Sequence, residues 1–324
     1  MTASPARAWL AALVSILVVA EASSHSHAEV LGRGAVRALV VSPHPDDATL
    51  GAAGLIQRVV RNGGAVQVVE MTSGDAFSKG VAAARPGTPT SPSSYRWYGS
   101  LREREAIRAM RQLGVHRSRL RFLGFPDDGL CVLASARRAG DAFESPYTGR
   151  ASPPEAEQIV PGTMYRGIDL EAELRRIIEA FRPTLVVLPH PGDLHPDHCA
   201  TELLARDAVA GAVQAGLRPP RVLYYLIHYP AWPPASGSLQ GSVTGQPAGL
   251  RGGGGRWSAL PLTTEEQARK RVALTRYRSQ MLAMPDFLAS FERGNELFME
   301  GEPPAPAPCW CAGENIAGRS SRAQ

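Results

Sequence analysis

Two short blocks hold the residues able to do chemistry in this chain: His44-Pro45-Asp46-Asp47 and, far downstream, His195-Pro196-Asp197-His198. Each sets imidazoles and carboxylates around a proline, directly after an apolar, strand-like run. Imidazole nitrogen and carboxylate oxygen are the donors of catalytic zinc sites, where three protein ligands leave a fourth position for water. Water on such a metal ionises near pH 7, so hydroxide becomes available at neutral pH. His44 and Asp47 lie three positions apart on a turn stiffened by Pro43 and Pro45, a spacing that lets both converge on one ion while Asp46 points elsewhere. A third ligand must come from elsewhere, and the second block offers two imidazoles, His195 and His198, with Asp197 between them. Of the eight histidines, two lie near the N-terminus and three of the other six fall within these blocks. That concentration points to a hydrolytic metal site assembled from two loops.

The elements around the blocks must bring them together. Residues 35–42 (AVRALVVS) form a continuous apolar, β-branched run, the pattern of a strand buried on both faces. A helical pattern starts near Thr49 and stops at Asn62-Gly63-Gly64, and 65–71 (AVQVVEM) is a second strand. This strand, helix, strand unit demands a parallel sheet with a right-handed crossover, hence an α/β fold. Further helices are predicted at 100–113, 169–181, through Leu203 to Val209, and at 263–284, with strands at 119–123, 184–188 and 221–227. The second block follows the 184–188 strand. Three long Pro/Gly/Ser-rich stretches, 74–98, 131–167 and 229–260, are read as loops walling a cleft over the C-terminal rim of the sheet.

Composition bounds the remaining possibilities. Arg7 followed by the apolar stretch 8–20 has the length of an export signal and is too short to span a bilayer, with cleavage expected near residue 22 or 28. We therefore expect a signal over 1–28, one domain over 29–300 and a Pro-rich tail over 301–324, in a protein that is exported, periplasmic or secreted, with no stable membrane span after cleavage. The net charge of +5 comes almost wholly from scattered arginines, and no dense basic block interleaved with aromatics supports a nucleic-acid partner. Four cysteines (Cys131, Cys199, Cys309, Cys311) make no disulfide framework, and Cys309 and Cys311 are given no function. The glycine run at 252–255 has no preceding strand and is read as a flexible loop. A nucleotide-binding reading fails because the first strand turn, SPHPDDATLGAAG, lacks the early glycines that let a pyrophosphate approach the backbone.

The sequence resembles the LmbE/PIG-L family of metal-dependent N-acetylglucosaminyl deacetylases. The resemblance rests on PHPDD (43–47) and DLHPDH (193–198), supported by Arg102-x-x-Glu105 with Leu113-Gly114, by GFPDDGL (124–130) and by RKRVALTRYRSQ (269–280). It covers roughly residues 36–285 and implies a Rossmann-like three-layer sandwich with a mostly parallel central sheet. It further implies His44, Asp47 and His198 as ligands of Zn2+, with Fe2+ or another divalent metal as substitutes. Asp46 would be the general base, His195 the acid or oxyanion-stabilising group oriented by Asp197, and Arg102 and Asp128 contacts for substrate hydroxyls. The implied partner is a small carbohydrate or glycoconjugate. Where many family members carry a glutamate after the paired aspartates, this chain has Ala48. A carbohydrate-binding protein without turnover is the alternative, and the presence of Asp46 and His195, needed for proton transfer, argues against it.

Overall fold

The computed structural model describes residues 35–135, 139–234, 241–250 and 255–301. The expected signal over 1–28, the tail beyond residue 301 with Cys309 and Cys311, and most of the glycine run lie outside the described residues. The apolar runs become five parallel strands: β1 (Arg37–Ser42), β2 (Ala65–Thr72), β3 (Leu120–Phe125), β4 (Leu185–Pro189) and β5 (Arg221–Tyr225). Their continuous hydrophobicity has a direct cause: both faces are covered. On β1, Ala38 and Val40 pack with Leu55, Ile56 and Met110 in one core, while Leu39 and Val41 pack with Leu174, Phe181 and Leu204 in the other.

Helices α1 (Asp47–Arg61), α2 (Ser78–Ala84), α3 (Pro92–Gln112), α4 (Leu130–Ala134), α5 (Gly167–Phe181), α6 (Pro196–Gln214), α7 (Thr264–Leu274), α8 (Arg278–Ala283) and α9 (Pro285–Ala289) complete the layers. Residues of α1, α3 and α7 line the first core and those of α4, α5 and α6 the second. Two further strands, β6 (Arg256–Pro261) and β7 (Asn295–Glu300), extend the sheet antiparallel, giving the order β3-β2-β1-β4-β5-β7-β6. From β1 the chain steps outward to β2 and β3, and from β4 it steps the other way to β5. The neighbours β1 and β4 therefore flank the point where strand order reverses, beyond whose C-terminal ends open α/β sheets bind ligands.

Several elements differ from the sequence reading. The stretch 74–98 is no single loop: it carries α2 and the first turns of α3, which starts at Pro92 behind a capping box made by Ser91 and Ser94. The predicted 263–284 helix is broken after Leu274, where Tyr277 leaves the helical region at φ −80° and ψ 62°, and it ends at Met284 because Pro285 has no amide N–H and favours extended backbone before it, as Met284 shows at φ −151° and ψ 59°. Strands β6 and β7 escape prediction because β6 is an edge strand without clean alternation and β7 opens with the buried polar residues Asn295 and Glu296.

Glu296 has a structural task. Helix α1 is kinked at Ala52, and the Glu296 carboxylate accepts from the amides of Gly54 (2.8 Å) and Leu55 (3.1 Å) just beyond the kink. Lys270 neutralises that carboxylate at 2.9 Å and also donates to the Leu50 carbonyl. Gly51 lets the helix lie on β5, since a Cβ there would meet Tyr225 Cδ2 at 2.5 Å. Neither cysteine among the described residues is free: Cys131 and Cys199 are each held in a disulfide. Among those residues no helix is long and apolar enough to cross a membrane.

Candidate metal centre and active site

The two blocks meet at the C-terminal ends of β1 and β4. After β1, the Ser42 hydroxyl donates to the His44 carbonyl (2.6 Å) and accepts from the Ala48 amide (3.2 Å), closing a turn that sets Asp47 at the start of α1. The His44 amide donates to Asp47 Oδ2 at 2.9 Å. After β4, His195 caps α6 and places His198 in its first turn. Asp47 Oδ2 then lies 3.1 Å from His44 Nδ1 and 3.1 Å from His198 Nε2. The three residues singled out as ligands converge on one point.

Each imidazole is backed by a carboxylate on its other nitrogen. His44 Nε2 faces Asp127 Oδ1 at 3.1 Å and Asp197 Oδ2 at 3.5 Å, and His198 Nδ1 faces Asp193 Oδ2 at 3.1 Å. Such partners fix the tautomer, leaving His44 Nδ1 and His198 Nε2 as lone-pair donors toward Asp47, the arrangement that orients metal-ligating histidines. His198 Nε2 is fully buried and completes no hydrogen bond despite its nearness to Asp47, so its lone pair wants a different partner. Burial alone would depress both imidazoles, yet the surrounding carboxylates outweigh it: His44 is held well above its ordinary value and His198 is pushed up to about 9. The site demands positive charge, and a divalent cation between these donors meets that demand while releasing the imidazole protons.

Asp46, beside the ligands, is buried and ion-paired through Oδ1 to Arg102 Nη2 at 2.7 Å. Burial raises its pKa above the ordinary carboxylate value, and the guanidinium only partly offsets this. A carboxylate made more basic in this way is suited to accept a proton. His195 accepts the Asp197 amide at Nδ1 (3.2 Å), which puts its proton on Nε2, and its ring stands edge-on to His44 with centroids 4.7 Å apart. Burial and the neighbouring imidazoles keep it well below its ordinary pKa, hence a neutral donor.

Two expected roles, those of Asp197 and Arg102, meet a different geometry, while Asp128 lies where a substrate contact could be made. The Asp197 carboxylate does not reach the His195 ring: it accepts from the amides of Asp128 (2.7 Å) and Leu130 (3.1 Å) and backs His44, so only its main-chain amide orients His195. Arg102 is neither a surface residue nor free for substrate, being 4 % exposed and bound to Asp46 and the Gly74 carbonyl. Asp128 is exposed, with φ 57°, and accepts from the Tyr147 hydroxyl at 2.8 Å, which leaves it at the rim.

Sequence reasoning missed three residues. Asp127, next to the chosen Asp128, backs His44. Asp193, the first residue of DLHPDH, is the hub of the second loop: Oδ1 accepts from the His195 amide, and Oδ2 takes His198 Nδ1 and the amides of Ile227 and His228. His228, after β5, lies with its ring centroid 4.8 Å from His198 and 5.1 Å from His195. No local sequence signal marks it.

Residues 39–209 match the family model described as PIG-L: GlcNAc-PI de-N-acetylase. A Bacillus anthracis protein named Probable N-acetyl-alpha-D-glucosaminyl L-malate deacetylase 2 is 30 % identical over 173 residues, 53 % of this chain and 58 % of that protein. The chain thus spans little more than half the length of this curated relative. Among crystal structures, the A40926 pseudoaglycone deacetylase Dbv21 is similar at TM-score 0.51 and 22 % identity, covering 84 % of this chain and 99 % of its own. GalB, the 4-carboxy-2-hydroxymuconate hydratase from Pseudomonas putida KT2440, is similar at TM-score 0.50 and 19 % identity, covering 78 % and 82 %. These two share the fold, and since one is named a deacetylase and the other a hydratase, fold alone does not select the reaction.

Proposed function

The chain belongs to the PIG-L (GlcNAc-PI de-N-acetylase) family, and from that premise we propose that it is an exported, zinc-dependent hydrolase that removes an N-acetyl group from an amino sugar or glycoconjugate. The observation that carries this reading is the convergence of His44 Nδ1 and His198 Nε2 on Asp47 Oδ2, with a carboxylate behind each ring. His44, Asp47 and His198 would hold the cation, which when bound acts as a Lewis acid and lowers the pKa of water. Nitrogen and oxygen donors of this kind also suit Fe2+ or Co2+.

The chain's own residues account for the proton movements. Asp46 accepts the water proton on the carboxylate oxygen not committed to Arg102 and returns it to the departing amine. His195 donates its Nε2 proton in a hydrogen bond to the amide carbonyl oxygen as negative charge develops there. Arg102 holds Asp46 in place and Asp193 holds the second loop. Asp128, at the rim, offers an acceptor to sugar hydroxyls, and Tyr147 beside it an aromatic face to the C–H groups of a sugar ring.

Export, with a signal removed near residue 22 or 28 from a domain spanning 29–300, is supported by the apolar stretch 8–20 and by the absence of free thiols among the described residues. The test is acetate release by zinc-loaded protein from N-acetylglucosamine, chitooligosaccharides and N-acetylated glycolipids or glycosylated thiols. Asp46→Asn should keep its metal and lose turnover, whereas His198→Ala should lose both. Undiminished turnover by Asp46→Asn would sink the mechanism, and a wild-type protein that binds these sugars without releasing acetate would favour the non-catalytic carbohydrate-binding alternative.

A further inference from the structure

His228 is the one imidazole of the cluster that neither the two blocks nor the proton movements use. It reaches the site from the far side of β4, on the loop after β5. One of its nitrogens, one oxygen of Asp47 and one nitrogen of His198 lie within 4.8 Å of one another, so its ring borders the position where the reacting group must sit. Two contacts fix the ring without consuming either nitrogen. The backbone amide is anchored by Asp193 Oδ2 at 3.0 Å, and the ring stacks on Phe287 with a centroid separation of 5.2 Å and an interplanar angle of 9°. Among the described residues no hydrogen-bonding partner meets its Nδ1 or Nε2, and the residue is partly exposed.

This pattern differs from that of the ligand histidines. His44 and His198 each have a carboxylate behind the nitrogen remote from Asp47, the arrangement that makes an imidazole a strong, oriented metal donor. The ring of His228 has none. A neutral imidazole always carries one N–H, so a ring held rigidly with both nitrogens uncommitted can present a donor to a substrate oxygen. His195 presents the other from a different loop, with the two ring centroids 5.1 Å apart.

Resting on the deacetylase reading above, we propose that His228 is a second donor to the amide carbonyl oxygen, so that His195 and His228 together form a two-imidazole oxyanion site. The experiment uses the full chain loaded with zinc and the N-acetyl sugar that the wild-type protein deacetylates fastest. His228→Ala should lower kcat by about 100-fold, the range for loss of one oxyanion donor, with KM changed by no more than a few-fold. His228→Gln, which keeps an N–H donor, should recover part of that loss. Bound zinc per chain and Tm should match wild type for both variants. So should the affinity for the sugar measured calorimetrically in an Asp46→Asn background. A His228→Ala enzyme with wild-type kcat would overturn the proposal while leaving the deacetylase reading intact, and loss of bound zinc would make His228 a ligand instead. Wild-type protein that releases no acetate from any N-acetyl sugar would remove both.

Discussion

Replacing Arg102 by methionine tests how the general base is tuned. Arg102 Nη2 lies 2.7 Å from Asp46 Oδ1, and both side chains are buried. Charges about 4 Å apart at an effective dielectric of about 20 interact by about 4 kcal/mol, equivalent to about 3 pKa units. Carboxylates beside arginine are depressed by about 1–3 units, so a change of about 2 is a reasonable expectation. The direction follows from the environment: burial raises Asp46 and Arg102 is the largest influence lowering it, ahead of His44 and a backbone hydrogen bond, so removing the arginine shifts the carboxyl upward. Asp46 acts as a base only when ionised, above its pKa. The acidic limb of the kcat/KM profile should therefore move to higher pH by about 1–3 units in Arg102→Met, and by much less in Arg102→Lys, which keeps the charge.

A second readout separates this electrostatic role from simple damage. Arg102 also acts on Asp47 and Asp127, so its loss makes the cluster more negative. Cation affinity in Arg102→Met should then hold or tighten, measured by competition with a chromophoric chelator. A folded, metal-loaded variant whose acidic limb stays in place would refute the assignment of Asp46 as the titrating base. Weaker metal binding would show that Arg102 supports the ligands rather than the base.

Two further outcomes follow from the supporting residues. Asp193→Ala removes the acceptor shared by His195, His198 and the 227–228 backbone, so metal affinity should fall about 10–100-fold, read by the same chelator competition; unchanged affinity would deny Asp193 its role behind His198. Glu296→Ala strands Lys270 and the amides of Gly54 and Leu55 in the interior, and should cost about 3–5 kcal/mol in denaturant unfolding, with Glu296→Gln costing less; a loss below about 1 kcal/mol would mean the kinked helix α1 does not depend on this strand.

The parts of the site legible in the sequence are those fixed locally. His44 and Asp47 share one turn, and His195 and His198 share one helix start, so residue type and spacing already declare a ligand set. The parallel strands were legible for a similar reason: burial on both faces writes itself as an unbroken apolar run in 35–42 and 184–188. What could not be read depends on partners brought by other elements. Arg102 on an amphipathic helix could equally be a surface ion pair, and only the packing of α3 beside the first turn gives it to Asp46. Asp127 and Asp128 are chemically identical neighbours, and the left-handed turn at Asp128 decides which one backs His44 and which one faces solvent. Strand β7 was hidden because Asn295 and Glu296 break its apolar pattern, and they are buried there to serve a loop and a kinked helix rather than the sheet.

Sheet order explains why blocks so far apart in sequence form one centre, and it also explains the charge they accumulate. With β1 and β4 adjacent at the reversal of strand order, the loops after β1 and β4 both open onto the same rim, and those after β2, β3 and β5 close around them. The carboxylates these loops bring hold one another's backbones: Asp127 after β3 accepts from the Ala76 amide after β2, Asp197 at the start of α6 accepts from the amides of Asp128 and Leu130 after β3, and Asp193 after β4 accepts from those of Ile227 and His228 after β5. Together with Asp46 and Asp47 these make five buried carboxylates that, among the described residues, face one buried guanidinium, that of Arg102. A buried excess of negative charge is costly unless something positive answers it. Protonated imidazoles can answer it, as the raised pKa values of His44 and His198 show, but only by surrendering the lone pairs that Asp127 and Asp193 orient toward Asp47. A divalent cation between those lone pairs answers the same charge and keeps the orientation, which is why the carboxylates behind the rings argue for a metal centre as strongly as the ligands themselves.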